Sequence, residues 1–167
     1  FDRTMYMLDL PDVKPETLAK GTLFFADVAS KLKLLPTEID SERQIILEEK
    51  RTRDSAQWRS IMHALPRMIP GSLYGERLPI GVDETIKNMT QQDFMDYYTK
   101  WYVPSNMVLA VVADTDPAAI VELIKKDFGG GKKVAKPVDQ DMKLTVTAGD
   151  SGIVFADKEL PNAQIQI

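Results

Sequence analysis

Two glutamates on one predicted helix are the residues of this chain best suited to chemistry. Glu42 and Glu49 are seven residues apart in a segment, 41–53, that contains no glycine or proline. Seven residues advance a helix by about 700°, close to two full turns, so both carboxylates face the same way with Ile46 between them. Two acids on such a partly apolar surface favour a bound cation, a proton or exposure to water.

Spacing alone also allows a plainer interpretation, a solvated helix surface. Acid pairs seven residues apart are common on exposed helices, and this segment is rich in potential ion-pair partners. Those partners for Glu48 and Glu49 are Lys50, Arg51 and Arg53. The pattern of the two acids therefore has to be weighed against the rest of the sequence.

Composition excludes several classes of protein. The 167 residues carry 21 Lys and Arg against 25 Asp and Glu, a net charge of −4, so no basic excess exists to bind nucleic acid. Cysteine is absent, which excludes disulfides, thiolate metal sites and cysteine nucleophiles. His63 is the only histidine, so this chain by itself cannot form a multi-histidine metal site. The longest apolar run, 107–113, is far too short to span a bilayer.

Hydrophobic patterning predicts helices mixed with strands. Strands are expected at 4–10, at the apolar run 107–113, and again at 153–155 and 163–167. Helices are expected after Pro15, from Ile39 into the region of Leu65 with Pro66 at its end, from Thr90 through an aromatic-rich segment, and over 118–128.

Short sequence words, in a fixed order, give the chain a family resemblance. The words are T-M-Y-M at 4–7, E-R-Q-I-I-L-E-E at 42–49, P-G-S-L-Y-G at 70–75, L-P-I-G at 78–81 and W-Y-V-P-S-N-M at 101–107, with D-F at 93–94 and Y-Y at 97–98. Together they resemble the pitrilysin/insulinase family of zinc metallopeptidases, which includes the mitochondrial processing peptidases. The resemblance covers most of residues 1–128.

The resemblance assigns roles to the two glutamates. Family members bind zinc through an inverted motif, H-x-x-E-H, and take their third ligand from a glutamate on a later helix. That ligand position is Glu49 in this sequence, and Glu42 matches a supporting acid that helps to orient the site. Because His63 is the only histidine, the H-x-x-E-H motif is not in this chain and is expected before Phe1. The chain is thus expected to be an internal fragment, inactive when isolated.

The resemblance also implies a fold and a domain division. It predicts an α+β fold, a two-layer arrangement in which helices pack mainly on one face of a sheet, as in a half-domain of the processing-peptidase type. Residues 1–131 would be the later part of one peptidase domain, 132–150 a linker, and 151–167 the opening strands of the next domain. A second homologous half-domain, in the same chain or in a partner subunit, is expected.

The function implied for the intact protein is zinc-dependent hydrolysis of peptide bonds in peptides or unstructured segments. The alternative is a non-catalytic homologue that serves as a structural or substrate-binding subunit. The presence of both Glu42 and Glu49 favours the active class. No nucleic acid partner and no transmembrane segment in this chain are expected, and the habits of the family favour a bacterial periplasmic or secreted setting.

Overall fold

The structure is a computed structural model that describes residues 3–131, 133–144, 149, 152–163 and 165. Its helices, in chain order, are α1 (Pro15–Ser30), α2 (Pro36–Thr52), α3 (Ala56–Met68), α4 (Asp83–Asn88), α5 (Gln91–Trp101) and α6 (Pro117–Phe128), with short 3-10 helices at Leu73–Gly75 and Pro104–Asn106. The chain divides into two compact units. Unit 1 comprises Thr37–Met89 and Gln140–Ile167, and unit 2 comprises Asp2–Pro36 and Thr90–Asp139.

The helices of unit 2 begin where local chemistry favours a helix start. Pro15 stands at the beginning of α1, where its missing N–H costs nothing. Thr90 and Asp93 form a capping box at the start of α5, each side chain accepting a hydrogen bond from the other residue's backbone N–H. Asp116 accepts a hydrogen bond from the N–H of Ala118 at 2.9 Å and so caps α6.

Helices α1 and α6 pack against each other inside unit 2. Leu18 and Ala26 of α1 and Ile120 of α6 are buried, so apolar side chains from both helices contribute to the core. The buried Thr22 hydroxyl donates a hydrogen bond to the Asp127 carboxylate at 2.7 Å, which ties the two helices together.

The aromatic residues of α5 also pack within unit 2. The Tyr98 hydroxyl donates to the carbonyl of Val28 at 2.7 Å, and the Tyr98 and Tyr102 ring centroids are 4.6 Å apart. The hydroxyl oxygens of Tyr6 and Tyr102 are 2.5 Å apart. Burial raises the pKa of the Tyr102 phenol. These tyrosines are therefore packing residues that join α5 to α1 and to the N-terminal segment.

In unit 1, the prediction of a single long helix from Ile39 to the region of Leu65 is wrong. Helix α2 ends at Thr52, and α3 begins at Ala56. The cause is Ser55, whose hydroxyl accepts a hydrogen bond from the N–H of Trp58 at 3.1 Å and so offers the backbone a helix start in place of continuation. Pro66, expected to end the helix, lies inside the last turns of α3.

Two sets of contacts fasten the later segment of unit 1 to its helices and loop. The carbonyl of Met142 accepts hydrogen bonds from the Leu73 N–H at 3.0 Å and from the Ser72 hydroxyl at 2.9 Å. Arg59 of α3 donates to Asp157 at 2.9 Å and to Glu159 at 2.6 Å. The P-G-S-L-Y-G word thus has a structural role, because its loop anchors the chain near residue 142.

The predicted α+β fold is corrected by the structure, which is helical: among the described residues no strand is formed. The segments 4–10 and 107–113 run without regular structure, and Val108 and Val112, expected in a strand buried on both faces, are 96% and 99% exposed. A strand exists only through hydrogen bonds to a neighbouring strand, and apolar alternation cannot supply that neighbour. Residues 153–155 are likewise unpaired, and much of the run 163–167 lies outside the described residues.

In the part of the chain that the structure describes, we find no helix with the length and apolar character needed to cross a membrane.

Candidate functional site

Helix α2 carries both candidate glutamates and has two distinct sides. Ile39 is buried, and four further residues at helical spacing are half-buried, namely Arg43, Ile46, Leu47 and Lys50. Glu42 and Glu49 are exposed on the flank of this half-buried side. The predicted spacing therefore holds, since both acids lie on one exposed stripe.

The Glu49 carboxylate forms an ion pair with Arg53, one turn later on the same helix. The two side chains are 44% and 62% exposed, so the pair is a surface pair in contact with water. Glu42 forms no ion pair or side-chain hydrogen bond within the described part of the chain. The surface ion pair expected from a solvated helix is thus present at Glu49, whereas the carboxylate of Glu42 has no such partner among the described residues.

Glu48 faces another direction, and its carboxylate binds a different arginine, Arg51. It accepts two hydrogen bonds from Arg51, at 2.9 and 2.5 Å, and these bonds hold the pKa of the Glu48 carboxyl below its ordinary value. Because successive helical residues are about 100° apart, Glu48 projects away from the stripe of Glu42 and Glu49. It is the natural internal control for either of them.

Two cations of α2 bind the short helix α4, and sequence reasoning missed them. Arg43 donates to the backbone carbonyls of Ile86 and Met89, at the C-terminal end of α4. Lys50 donates to the Asp83 carboxylate, the first residue of α4, at 2.6 Å. The signal was present in the sequence, because Arg43 and Lys50 repeat the seven-residue spacing of the two glutamates one position later.

His63 lies on α3, where its ring packs against Phe155 with centroids 5.5 Å apart. Among the described residues, no group of three or more histidine, cysteine, aspartate or glutamate side chains converges as a metal site. Glu49 fits a metal as a single donor, since its carboxylate is accessible on a regular helix. These residues alone do not form a zinc site, which needs three or four converging ligands.

Comparison with known proteins bears directly on the family resemblance. Residues 88–167 match the family described as "Peptidase M16 inactive domain". The "Zinc protease PQQL-like" protein of Arabidopsis thaliana is 32% identical over 137 residues, which are 81% of this chain and 14% of that protein. The chain belongs to the M16, or pitrilysin, peptidase family. The resemblance carried by the ordered words is confirmed.

Solved structures agree with this assignment to the M16 family. The first half of the periplasmic protease PqqL from Escherichia coli matches with a TM-score of 0.73 and 25% identity, over 80% of this chain and 28% of that one. A variant of the ferredoxin protease FusC, in complex with Arabidopsis ferredoxin, matches with a TM-score of 0.70 and 31% identity, over 74% of this chain and 14% of that one. The M16 chain described here thus spans a small part of the length of its relatives.

The comparisons support a relationship to proteins named zinc proteases, which are hydrolases. They do not test the individual site residues. The family match at 88–167 begins after Glu42 and Glu49 along the chain, so it does not bear on either of them. The ligand role of Glu49 and the supporting role of Glu42 stay predictions.

Proposed function

We propose that the intact protein is a zinc-dependent metallopeptidase to which this chain supplies one zinc ligand, the carboxylate of Glu49. The observation that carries the proposal is the exposed carboxylate at the end of the E-R-Q-I-I-L-E-E word, on a regular helix, in a chain whose relatives are named zinc proteases. The other donors would come from outside the residues described here. A zinc ion held there would supply Lewis-acid chemistry toward a peptide carbonyl.

The structure leaves Glu49 free to exchange partners. Its present partner, Arg53, is exposed, and an exposed ion pair contributes only about 0.2–1 kcal/mol. A metal ligand in a converging site is held far more strongly than that. Release of Glu49 from Arg53 is therefore a small cost in forming the proposed site.

Glu42 is proposed as a supporting acid rather than a ligand. It stands two turns before Glu49, about 10 Å along the helix axis, whereas a zinc–oxygen bond is only about 2 Å. Its carboxylate has no ion-pair partner among the described residues, so it can accept a hydrogen bond from a group at the site. Such a contact orients a ligand without touching the metal.

The proposal extends to substrate, assembly and compartment. We propose peptides or unstructured segments as substrates, and a second homologous half-domain, in the same chain or in a partner subunit, as the other wall of the site. We also propose that residues 1–131 are the later part of one peptidase domain, 132–150 a linker and 151–167 the beginning of the next domain. The periplasmic relative from Escherichia coli supports a periplasmic location, which cell fractionation would test.

A second candidate is a non-catalytic subunit that binds peptides or has a structural role. The description "inactive domain" for the family matched by residues 88–167 favours it. The two candidates differ in metal content: the peptidase holds about one zinc per site, whereas the non-catalytic subunit holds none. Zinc analysis of the intact protein therefore separates them.

The decisive experiment compares Glu49→Gln with Glu48→Gln in the intact protein. Glutamine keeps the size of the side chain but removes the anionic donor, so Glu49→Gln should abolish both bound zinc and hydrolysis of an unstructured reporter peptide. Glu48→Gln removes the same charge one residue away and should change neither. Zinc content, cleavage rate and circular dichroism are measured for both. Full zinc and activity in Glu49→Gln would overturn the ligand assignment.

The isolated 167-residue chain gives a second test. One carboxylate is a poor zinc site, so the purified chain should hold no stoichiometric zinc and cleave no peptide. Elemental analysis that finds one tightly bound zinc per chain would show that other ligands exist within residues 1–167.

A further inference from the structure

The guanidinium group of Arg43 connects α2 to the end of α4. Its side chain is 17% exposed, and its Nε donates to Asp40 of the same helix at 3.1 Å. Its two terminal nitrogens donate to the carbonyls of Ile86 and Met89. The last carbonyls of a helix lack partners within the helix and lie at the negative end of its dipole. A guanidinium group that binds two of these carbonyls at once is attracted by their charge and is also fixed in its orientation.

Lys50 makes the corresponding contact at the other end of α4. Its ammonium group is 2.6 Å from the carboxylate of Asp83, which is the first residue of α4. The earlier cation of α2 thus binds the end of α4, and the later cation binds its beginning. The two helices therefore run antiparallel, joined at two places two turns apart on α2.

Contacts to α4 at two positions along α2 constrain the helix more than a single contact would. The buried Ile39 fixes α2 near its beginning, and two further contacts on one stripe constrain both the rotation and the axial position of the rest of the helix. Arg43 and Lys50 each follow a glutamate of the candidate site by one residue, which is about 100° around the helix. Whatever sets the direction of the Arg43–Lys50 stripe also sets the direction of Glu42 and Glu49.

We infer that Arg43 and Lys50 are positioning residues, which hold α2 on α4 so that the Glu49 carboxylate points at the metal. The inference rests on the proposed role of Glu49 and deepens it. A ligand has to be held within about 0.5 Å and 10–20° of its productive geometry, so even a small change in the tilt of α2 would matter. Neither cation touches the metal or the substrate in this scheme.

The test uses a matched pair of lysines in the intact protein. Lys50 and Lys87 both pair with Asp83, at 2.6 and 3.3 Å, but Lys87 belongs to α4 itself and does not connect it to α2. Lys50→Met and Lys87→Met remove the same charge from the same carboxylate. We expect Lys50→Met to weaken zinc binding about 10-fold, the lower end of the effect of losing an outer partner of a metal ligand. Lys87→Met should leave zinc binding unchanged.

Two further variants sharpen the result. Lys50→Arg keeps a cation that reaches Asp83 and should restore zinc affinity. Arg43→Met removes the other contact and should weaken zinc binding at least as much as Lys50→Met does. Zinc affinity is measured by competition with a chromophoric chelator, and circular dichroism confirms that each variant is folded.

The outcomes separate this inference from the proposed function. If Glu49→Gln loses zinc while Lys50→Met keeps full affinity, the positioning role is wrong and the ligand assignment stands. Equal weakening by Lys50→Met and Lys87→Met would also refute it, because the effect would then be one of charge at Asp83. If Glu49→Gln keeps its zinc, the proposed function fails and the positioning role fails with it.

Discussion

Two stripes of α2 carry charged residues at the same spacing and use them in different ways. Glu42 and Glu49 are exposed, and the ion pair of Glu49 is a surface pair. Arg43 and Lys50, one position later, are half-buried and bind another helix. One stripe is available to a ligand, whereas the other is committed to the fold.

This difference teaches that neighbouring charges on one helix cannot be assigned a common role from their spacing. A shift of one residue rotates the side chain by about 100°, enough to move it from solvent onto a neighbouring helix. Substitutions on the committed stripe should therefore change stability, and substitutions on the available stripe should change ligand binding alone.

The largest expected effect on stability is at Arg43. Arg43→Ala should lower the free energy of unfolding of the 167-residue chain by about 2–3 kcal/mol, since hydrogen bonds to charged groups contribute about 1.5–3 kcal/mol. Glu49→Ala, on the exposed stripe, should change it by less than about 0.5 kcal/mol. Urea unfolding followed by circular dichroism measures both. Equal losses would abolish the distinction between the two stripes.

The next effect is on the available stripe. Glu42→Gln in the intact protein should lower the rate of peptide hydrolysis about 10- to 100-fold, the usual cost of losing an outer partner of a metal site. It should retain more zinc than Glu49→Gln, because it leaves the ligand in place. A Glu42→Gln variant that loses zinc as completely as Glu49→Gln would make Glu42 a ligand itself.

A smaller effect is expected from acid. The hydrogen bond from Lys50, more than that from Lys87, lowers the pKa of the Asp83 carboxyl below its ordinary value of 3.8. A carboxyl whose pKa is lower in the folded state stabilises the fold above its unfolded pKa, and this contribution is lost as the pH falls through the folded pKa. As the pH is lowered through 3.8 and below, the free energy of unfolding should therefore fall less steeply in Lys50→Met. An unchanged pH dependence would show that the contact between Lys50 and Asp83 does not stabilise the chain.

The smallest effect is expected at Arg53, the surface partner of Glu49. Arg53→Met removes an exposed pair, so zinc affinity of the intact protein should tighten by no more than a few-fold, in line with the 0.2–1 kcal/mol or so of such pairs. Chelator competition measures it. A large loss of zinc in this variant would mean that Arg53 helps to hold the site.

The sequence by itself determined the family and the local starts of several helices. The ordered words from 4–7 to 101–107 were enough for the M16 assignment. The helix expected from Thr90 is α5, and its start needs nothing distant, because the capping box of Thr90 and Asp93 uses residues three positions apart. The common direction of Glu42 and Glu49 also follows from helix geometry alone.

Only the tertiary structure decided what required partners far along the chain. The carbonyls of Ile86 and Met89 that bind Arg43 lie more than 40 residues later in the chain, so only packing brings them to this side chain. The segments 4–10 and 107–113 had strand-like composition, yet composition does not provide the neighbouring strand that a sheet needs, and the described residues form none. Periodicity reports which side of an element is apolar; which other element meets that side is set by packing.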